Sequence, residues 1–281
     1  MKHFRPFSAL IFTLLLMTAC KDTPKEESVN KPAPAKEVAQ LEQSFKGWWT
    51  YQYNNIDLSS NFVGLDEQGE EIDTETFFRE MVSGEFIPVK VDSDSGPSHY
   101  QLQQLGEEAD EEIRNEVKRL AGENLNNFRK LGTEFPEFDF VDLEGNHYTN
   151  ELLKGKTVVF KAWFIACKPC VEEFPELNEL VSRYRDSEDV VFISLALDQK
   201  EELKEFLSKE PFQYKVIPDQ KDYLMDVLEV IKYPTHIVVD KNGNYQSIPR
   251  NAESLIAFLG QSDIAVQKEL KGTPAPPPPP M

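Results

Sequence analysis

Apolar and polar positions divide this chain into stretches of different texture. Phe7 to Ala19 is an almost unbroken apolar run behind Lys2 and Arg5, too short for a comfortable membrane span of about 20 residues. Residues 21–44 are rich in Lys, Glu, Pro and Ala with no sustained apolar period, which predicts an unstructured tether. Trp48-Trp49-Thr50-Tyr51-Gln52-Tyr53 is aromatic and β-prone, and the double tryptophan reads as core rather than as a ligand platform. Thr74 to Val82 predicts a short helix, Phe86 to Val91 a short strand, and Asp92 to Ser98 a polar turn or loop. Residues 107–131 predict a longer helix: Ile113, Val117, Leu120, Phe128 and Leu131 recur at roughly helical spacing, and Gly132 supplies a stop.

From Phe135 to about Gly260 the pattern changes to strand–helix alternation. Thr157–Phe164 and Asp189–Leu197 are apolar enough to be strands covered on both faces. Helices are predicted over about 169–185, 199–208, 220–230 and 252–258. Thr235–Asp240 and Tyr245–Pro249 flank Lys241-Asn242-Gly243-Asn244, a turn signal that makes them a hairpin. This order predicts an α/β domain with a mixed central sheet flanked by helices, preceded by a smaller α+β domain. The expected division is 1–19 signal peptide, 20–44 tether, 45–131 N-terminal domain, 132–262 α/β domain and 263–281 Pro-rich disordered tail.

Composition narrows the function classes. A net charge of −19 argues against nucleic acid or an anionic membrane surface as partner, since both need a basic face. The apolar run ends at Met17-Thr18-Ala19-Cys20, with Lys21 and Asp22 directly after. This layout resembles a bacterial lipoprotein signal, in which a small residue precedes a cysteine that is lipidated and becomes the mature N-terminus. Cys20 is then the expected lipid anchor. The other two of the 3 cysteines, Cys167 and Cys170, form a single C-x-x-C. So short a loop gains little chain entropy on closure, so the pair is not read as a structural staple.

Cys167-Lys168-Pro169-Cys170 lies where an apolar strand ends and a helix is predicted to begin. Amide N–H groups at a helix start stabilise a thiolate, which is the reactive form of cysteine, and Lys168 adds a positive charge. Cys167 at the mouth of the helix is the expected attacking thiolate. Cys170, one turn further in, is the expected resolving thiol. Zinc would want four ligands, yet His99, His147 and His236 are scattered singly and no second cysteine pair exists, so no metal or other cofactor is expected. A peroxide-reducing cysteine is disfavoured because Cys167 and Cys170 have Phe164 and Cys167 three residues before them. A copper-carrying C-x-x-x-C would be one residue longer.

The surrounding motifs resemble the TlpA/ResA branch of thioredoxin-like proteins over residues 133–260. They are Phe135-Pro136-Glu137-Phe138 with Asp142-Leu143-Glu144-Gly145; Lys154-Gly155-Lys156-Thr157-Val158-Val159-Phe160; Trp163 with the C-x-x-C; Glu173-Phe174-Pro175-Glu176-Leu177; and Tyr233-Pro234-Thr235 before the Asp240-Lys241-Asn242-Gly243 turn. The resemblance implies a thioredoxin-like fold and a catalytic set of Cys167, Cys170 and Glu173. Pro234 matches the cis-proline that faces the disulfide, with Tyr233, Thr235 and Trp163 completing an expected substrate-binding set. Glu173 matches the active-site glutamate of ResA-like proteins. Burial near the thiols is expected to raise its pKa and let it accept the proton of Cys170. Pro175 matches a structural kink. Ala166 stands where many relatives have Trp, which implies a more open site. Lys161 stands where thioredoxin has an acid, and two readings stay open: it favours a thiolate at Cys170, or it snorkels to solvent. His236 is read as a strand residue rather than a ligand.

Three functions follow as expectations. The leading one is a lipid-tethered disulfide reductant of the bacterial cell envelope, facing the periplasm or the outside. Its relatives reduce protein disulfides, including those of apocytochromes in cytochrome c biogenesis, and draw electrons from a membrane thiol donor of the CcdA/DsbD kind. The alternatives are a binding lipoprotein with an auxiliary redox domain, and a disulfide oxidant or isomerase.

Overall fold

The computed structural model describes Met1, residues 41–93 and residues 96–272, with side chains through residue 262. The expected signal peptide, the Cys20 anchor and most of the tether lie outside the described residues.

The N-terminal half is a four-stranded sheet packed against helices. Helix α1 (Phe45–Asn55) is followed by β1 (Phe62–Leu65), β2 (Glu71–Ile72), α2 (Thr74–Val82), β3 (Phe86–Val91), β4 (Ser98–Gln104) and α3 (Glu111–Lys130). The strand order is β2-β1-β4-β3, with β1 parallel to β4 and the other pairs antiparallel. Ile113, Val117, Leu120, Ala121 and Leu125 of α3 bury a stripe at helical spacing against Phe77, Phe78, Ile87, Tyr100 and Leu102. Helix α3 is capped at Leu131, and Gly132 takes the left-handed conformation at φ 77°.

One expectation fails in this half, and one strand has no counterpart among the expected elements. The aromatic run at Trp48–Tyr53 is helical, not extended. Ser44 caps α1 by accepting from the Gly47 N–H, and the helix buries Trp48 on the same core. Packing of one face decides the conformation over weak aromatic β-propensity. The polar segment Ser98–Gln104 is a central strand, paired with β1 over Ser98–Gln101 and with β3 over His99–Gln104. The fold also begins before residue 45: Leu41 packs against the core, and the Glu42 carboxylate accepts the Gly106 N–H at 2.8 Å.

In the C-terminal half, a two-stranded ribbon of β5 (Asp139–Val141) and β6 (His147–Thr149) precedes the main sheet. The sheet is built from β7 (Thr157–Trp163), β8 (Val190–Ala196), β9 (Lys215–Ile217), β10 (Thr235–Val239) and β11 (Tyr245–Ser247), in the order β11-β10-β7-β8-β9. Strands β7, β8 and β9 run parallel, while β10 is antiparallel to β7 and to β11. This mixed sheet, with the C-x-x-C helix leaving its central strand, is the thioredoxin-like arrangement.

Strand alternation sorts the faces of β7. Val158, Phe160 and Ala162 enter one core cluster with Phe135, Ile193 and Ile237, whereas Val159 and Trp163 enter clusters under the helices on the other face. Lys161 falls on the helix-covered face by the same period.

The expected helix over 169–185 is two pieces, α4 (Lys168–Glu172) and α5 (Phe174–Arg183), broken at Glu173. Helix α6 (Lys200–Leu207) matches expectation, and the segment expected as helix 220–230 is a wide π-type turn over Tyr223–Val227. Helix α7 runs from Ala252 to Gly272, past the expected end at 258. Residues 273–281 lie outside the described residues.

The halves meet without a spacer. The Gly132 N–H donates to the Tyr245 carbonyl at 2.8 Å, and the Phe135 N–H to that of Gly243 at 2.8 Å. Arg250 donates to the Ile56 carbonyl at 2.9 Å and lies 3.6 Å from Asp57, while Ser254 donates to Asp57 at 2.7 Å.

Candidate active site

Cys167 and Cys170 form a disulfide with Cα atoms 5.3 Å apart. Cys167 is the N-cap of α4; its Sγ accepts from the Cys170 N–H at 3.3 Å, and Pro169 occupies the first turn, where its missing N–H costs nothing. Cys167 keeps 5% of its surface exposed and Cys170 none, so Cys167 is the less enclosed of the two. Ala166, Lys168 and Pro169 around it are exposed. The loop entering the motif is held by Asp198, whose carboxylate accepts the Ile165 N–H at 2.7 Å.

Across from the motif, the Tyr233–Pro234 peptide is cis. Tyr233, Pro234 and Thr235 line an open cleft of about 640 Å³ together with Pro169 and Glu173. Tyr233 packs edge-on to Phe164 at 5.5 Å between ring centroids. Trp163 does not join them. It is fully buried in an aromatic cluster with Phe174, Phe206 and Phe212, because it closes a central strand covered on both faces. The expectation that Trp163 touches substrate is therefore corrected to a core role.

Beneath the motif lies a buried charged cluster. Register pairs Lys161 of β7 with His236 of β10, so the two emerge side by side on the face covered by α4 and α5. Glu173, at the break between those helices, reaches down between them. Its Oε2 accepts from the Lys161 ammonium and, at 3.1 Å, from His236 Nε2. Its Oε1 accepts the Ala252 N–H at the start of α7 at 2.9 Å.

Burial alone would push the Glu173 carboxyl up, as the sequence reading expects. The hydrogen bond from His236 and the charge and hydrogen bond of Lys161 outweigh it and hold Glu173 at about 2. The expected direction is thus reversed: Glu173 is a permanent carboxylate at neutral pH and a weak base. Burial and the neighbouring Lys161 push His236 down, so its imidazole is neutral and donates from Nε2. Burial also lowers Lys161, with Glu173 opposing. Lys161 is fully buried, so the snorkelling alternative is excluded. Reading His236 as a strand residue overlooked this hydrogen bond. Its only sequence signal is a histidine two residues after Pro234.

Residues 131–248 match the model of the AhpC/TSA family. A "Thiol-disulfide oxidoreductase ResA" of Bacillus cereus is 34% identical over 115 residues, covering 41% of this chain and 66% of the relative. The "Thioredoxin-like protein YneN" of Bacillus subtilis is 29% identical over 119 residues, covering 42% of this chain and 69% of the relative. The chain thus spans about two thirds of the length of these curated relatives, or slightly less. Among solved structures, the thioredoxin domain of a thiol-disulfide oxidoreductase from Bacteroides vulgatus is 25% identical, covering 47% of this chain and 96% of that one, with a TM-score of 0.43.

Proposed function

We propose that this chain, whose residues 131–248 form an AhpC/TSA-family domain of thioredoxin-like fold, is a thiol–disulfide oxidoreductase that reduces protein disulfides in the bacterial cell envelope. One observation carries the reading: a C-x-x-C disulfide at the start of a helix, with Cys167 less enclosed than Cys170. ResA-named relatives carry the same activity in their names.

The reaction has two displacements. In the reduced protein the Cys167 thiolate attacks one sulfur of a substrate disulfide, forming a mixed disulfide and releasing the other substrate sulfur as thiolate. The Cys170 thiolate then attacks Cys167 Sγ, closing the intramolecular disulfide and releasing the second substrate thiol. The substrate gains two electrons and the protein loses two. An external dithiol restores the reduced pair by the reverse exchange, and a membrane thiol donor of the CcdA/DsbD kind suits that task. Lipidation at Cys20 would hold the domain beside such a donor. Apocytochromes are one candidate class of substrate protein.

Glu173 enters as a positioning residue. It neutralises buried Lys161 and ties the break after α4 to the start of α7.

The test is a trap. Cys170→Ala cannot resolve, so it should accumulate thiol-releasable adducts on Cys167, whereas Cys167→Ala should accumulate none. No adduct, together with no disulfide reduction by the reduced wild type, would sink the reading. A redox titration fixes direction: a potential near −270 mV marks a reductant and one near −120 mV an oxidant, on the approximate scale of known couples.

A further inference from the structure

The cleft beside the disulfide has two walls, and only one belongs to the redox domain. Pro169, Tyr233, Pro234 and Thr235 form the near wall; Trp49, Gln52 and Tyr53 of α1 form the far one. Trp49 and Tyr53 are 36% and 67% exposed, which is high for large aromatic residues on a helix whose opposite face is core. They are held in place. Arg250 donates to the Tyr53 and Ile56 carbonyls at the end of α1, at 3.5 and 2.9 Å, and its own loop leads directly into α7.

The charge of the cleft is one-sided. Glu176 and Glu253 line it, beside Glu172, which pairs with Lys168 at 3.4 Å. Its cations are already engaged: Arg250 with Asp57 and the α1 carbonyls, Lys232 with Glu123 at 4.0 Å. Burial and the neighbouring Glu173 and Glu253 push the Glu176 carboxyl up, with Lys161 opposing, as expected where negative charge is crowded.

We propose that α1 is the specificity wall of this active site, and that the cleft selects an extended segment of a disulfide-bearing protein carrying a lysine or arginine beside an aromatic or large apolar residue. The aromatic side chain packs on Trp49 and Tyr53, the cation faces Glu176 and Glu253, and the adjacent cysteine meets Cys167. This rests on the disulfide-reductase reading and adds to it the chemistry of the substrate and a task for the N-terminal half.

The experiment uses the full chain in reduced form. It compares two disulfide-bonded peptides, one with Lys and Phe flanking the cysteine and one with Glu and Ser. The wild type should reduce both, with kcat/KM about tenfold higher for the first, carried mainly by KM, as one aromatic and one ionic contact would give. The preference should shrink as salt is added. Trp49→Ser/Tyr53→Ser should remove the part due to Phe, and Glu176→Gln/Glu253→Gln the part due to Lys. All four residues are partly or fully exposed, so the cores stay intact. Equal rates on both peptides in the wild type, or a preference that survives both double variants, overturns the inference. Reduction of neither peptide by the wild type instead overturns the reductase reading beneath it.

Discussion

Lys161 and His236 are cross-strand neighbours that share one partner, the Glu173 carboxylate, directly beneath the redox pair. A buried ammonium beside a neutral imidazole is tolerable only while that carboxylate stays charged. The arrangement therefore ties fold stability to the ionisation of a single acid.

The first prediction follows from its sign. Glu173 is held at about 2 against an ordinary 4.5. Its stabilisation is complete above the unfolded value and is lost as pH falls toward the folded one. The loss should amount to about 3 kcal/mol across that window by linkage. His236, buried neutral, adds a separate loss as pH falls below about 6.5, because the unfolded chain then binds the extra proton. Urea unfolding against pH should show both phases in the wild type. In Glu173→Gln the phase between pH 4.5 and 2 should flatten, and stability at pH 7 should drop by about 3–5 kcal/mol, because Lys161 is left unpaired. An unchanged acid limb would show that Glu173 is not the acid-sensitive group.

Cys167 should be the faster thiol. In the reduced protein at pH 7, alkylation of Cys167 should outpace that of Cys170 by at least about tenfold, since thiolate character and access both favour it. The measurement is mass-spectrometric labelling of each cysteine over a pH series. A lead by Cys170 would reverse the assignment of attacking and resolving thiols.

Arg250→Ala should loosen α1 without unfolding the redox domain. It removes the guanidinium from two backbone carbonyls and from Asp57 at a half-exposed site, an expected cost of about 1–2 kcal/mol. Hydrogen exchange should quicken in residues 45–56 and stay unchanged in β7 and β8. Uniform quickening would mean that the contact supports both halves alike.

A fatty-acid analogue should label the wild-type chain in a bacterial host and leave Cys20→Ala unlabelled. Equal labelling of both removes the proposed anchor.

The redox half was largely legible because its signals are local. The apolar run of β7, the C-x-x-C at its end and the Asn242-Gly243 turn each specify geometry within a few residues. Arg250 carries no such signal; its partners at Tyr53, Ile56 and Asp57 are nearly two hundred residues away in sequence. The cluster of Lys161, Glu173 and His236 was half legible. Each residue stood out, but the strand register that joins Lys161 to His236 is a long-range fact, and without it the pKa of Glu173 was given the wrong sign. Helix α1 was missed because Trp and Tyr favour strands only weakly. The better signal was Ser44 as a cap followed by Phe45 and Trp48 at helical spacing. Strand β4 was missed because Ser98, His99, Gln101, Gln103 and Gln104 hide the alternation of Tyr100 and Leu102.

The junction at Gly132 has an entropic consequence. Its N–H is bonded to Tyr245 two residues past the end of α3, and Phe135 is bonded to Gly243 almost at once. No slack chain joins the halves, so the connection itself gives the two sides of the cleft little freedom to separate. A polypeptide entering it meets a smaller ordering cost in the host than a flexible linker would impose. More of the binding free energy is then available to hold a sulfur in line with Cys167 while bonds exchange.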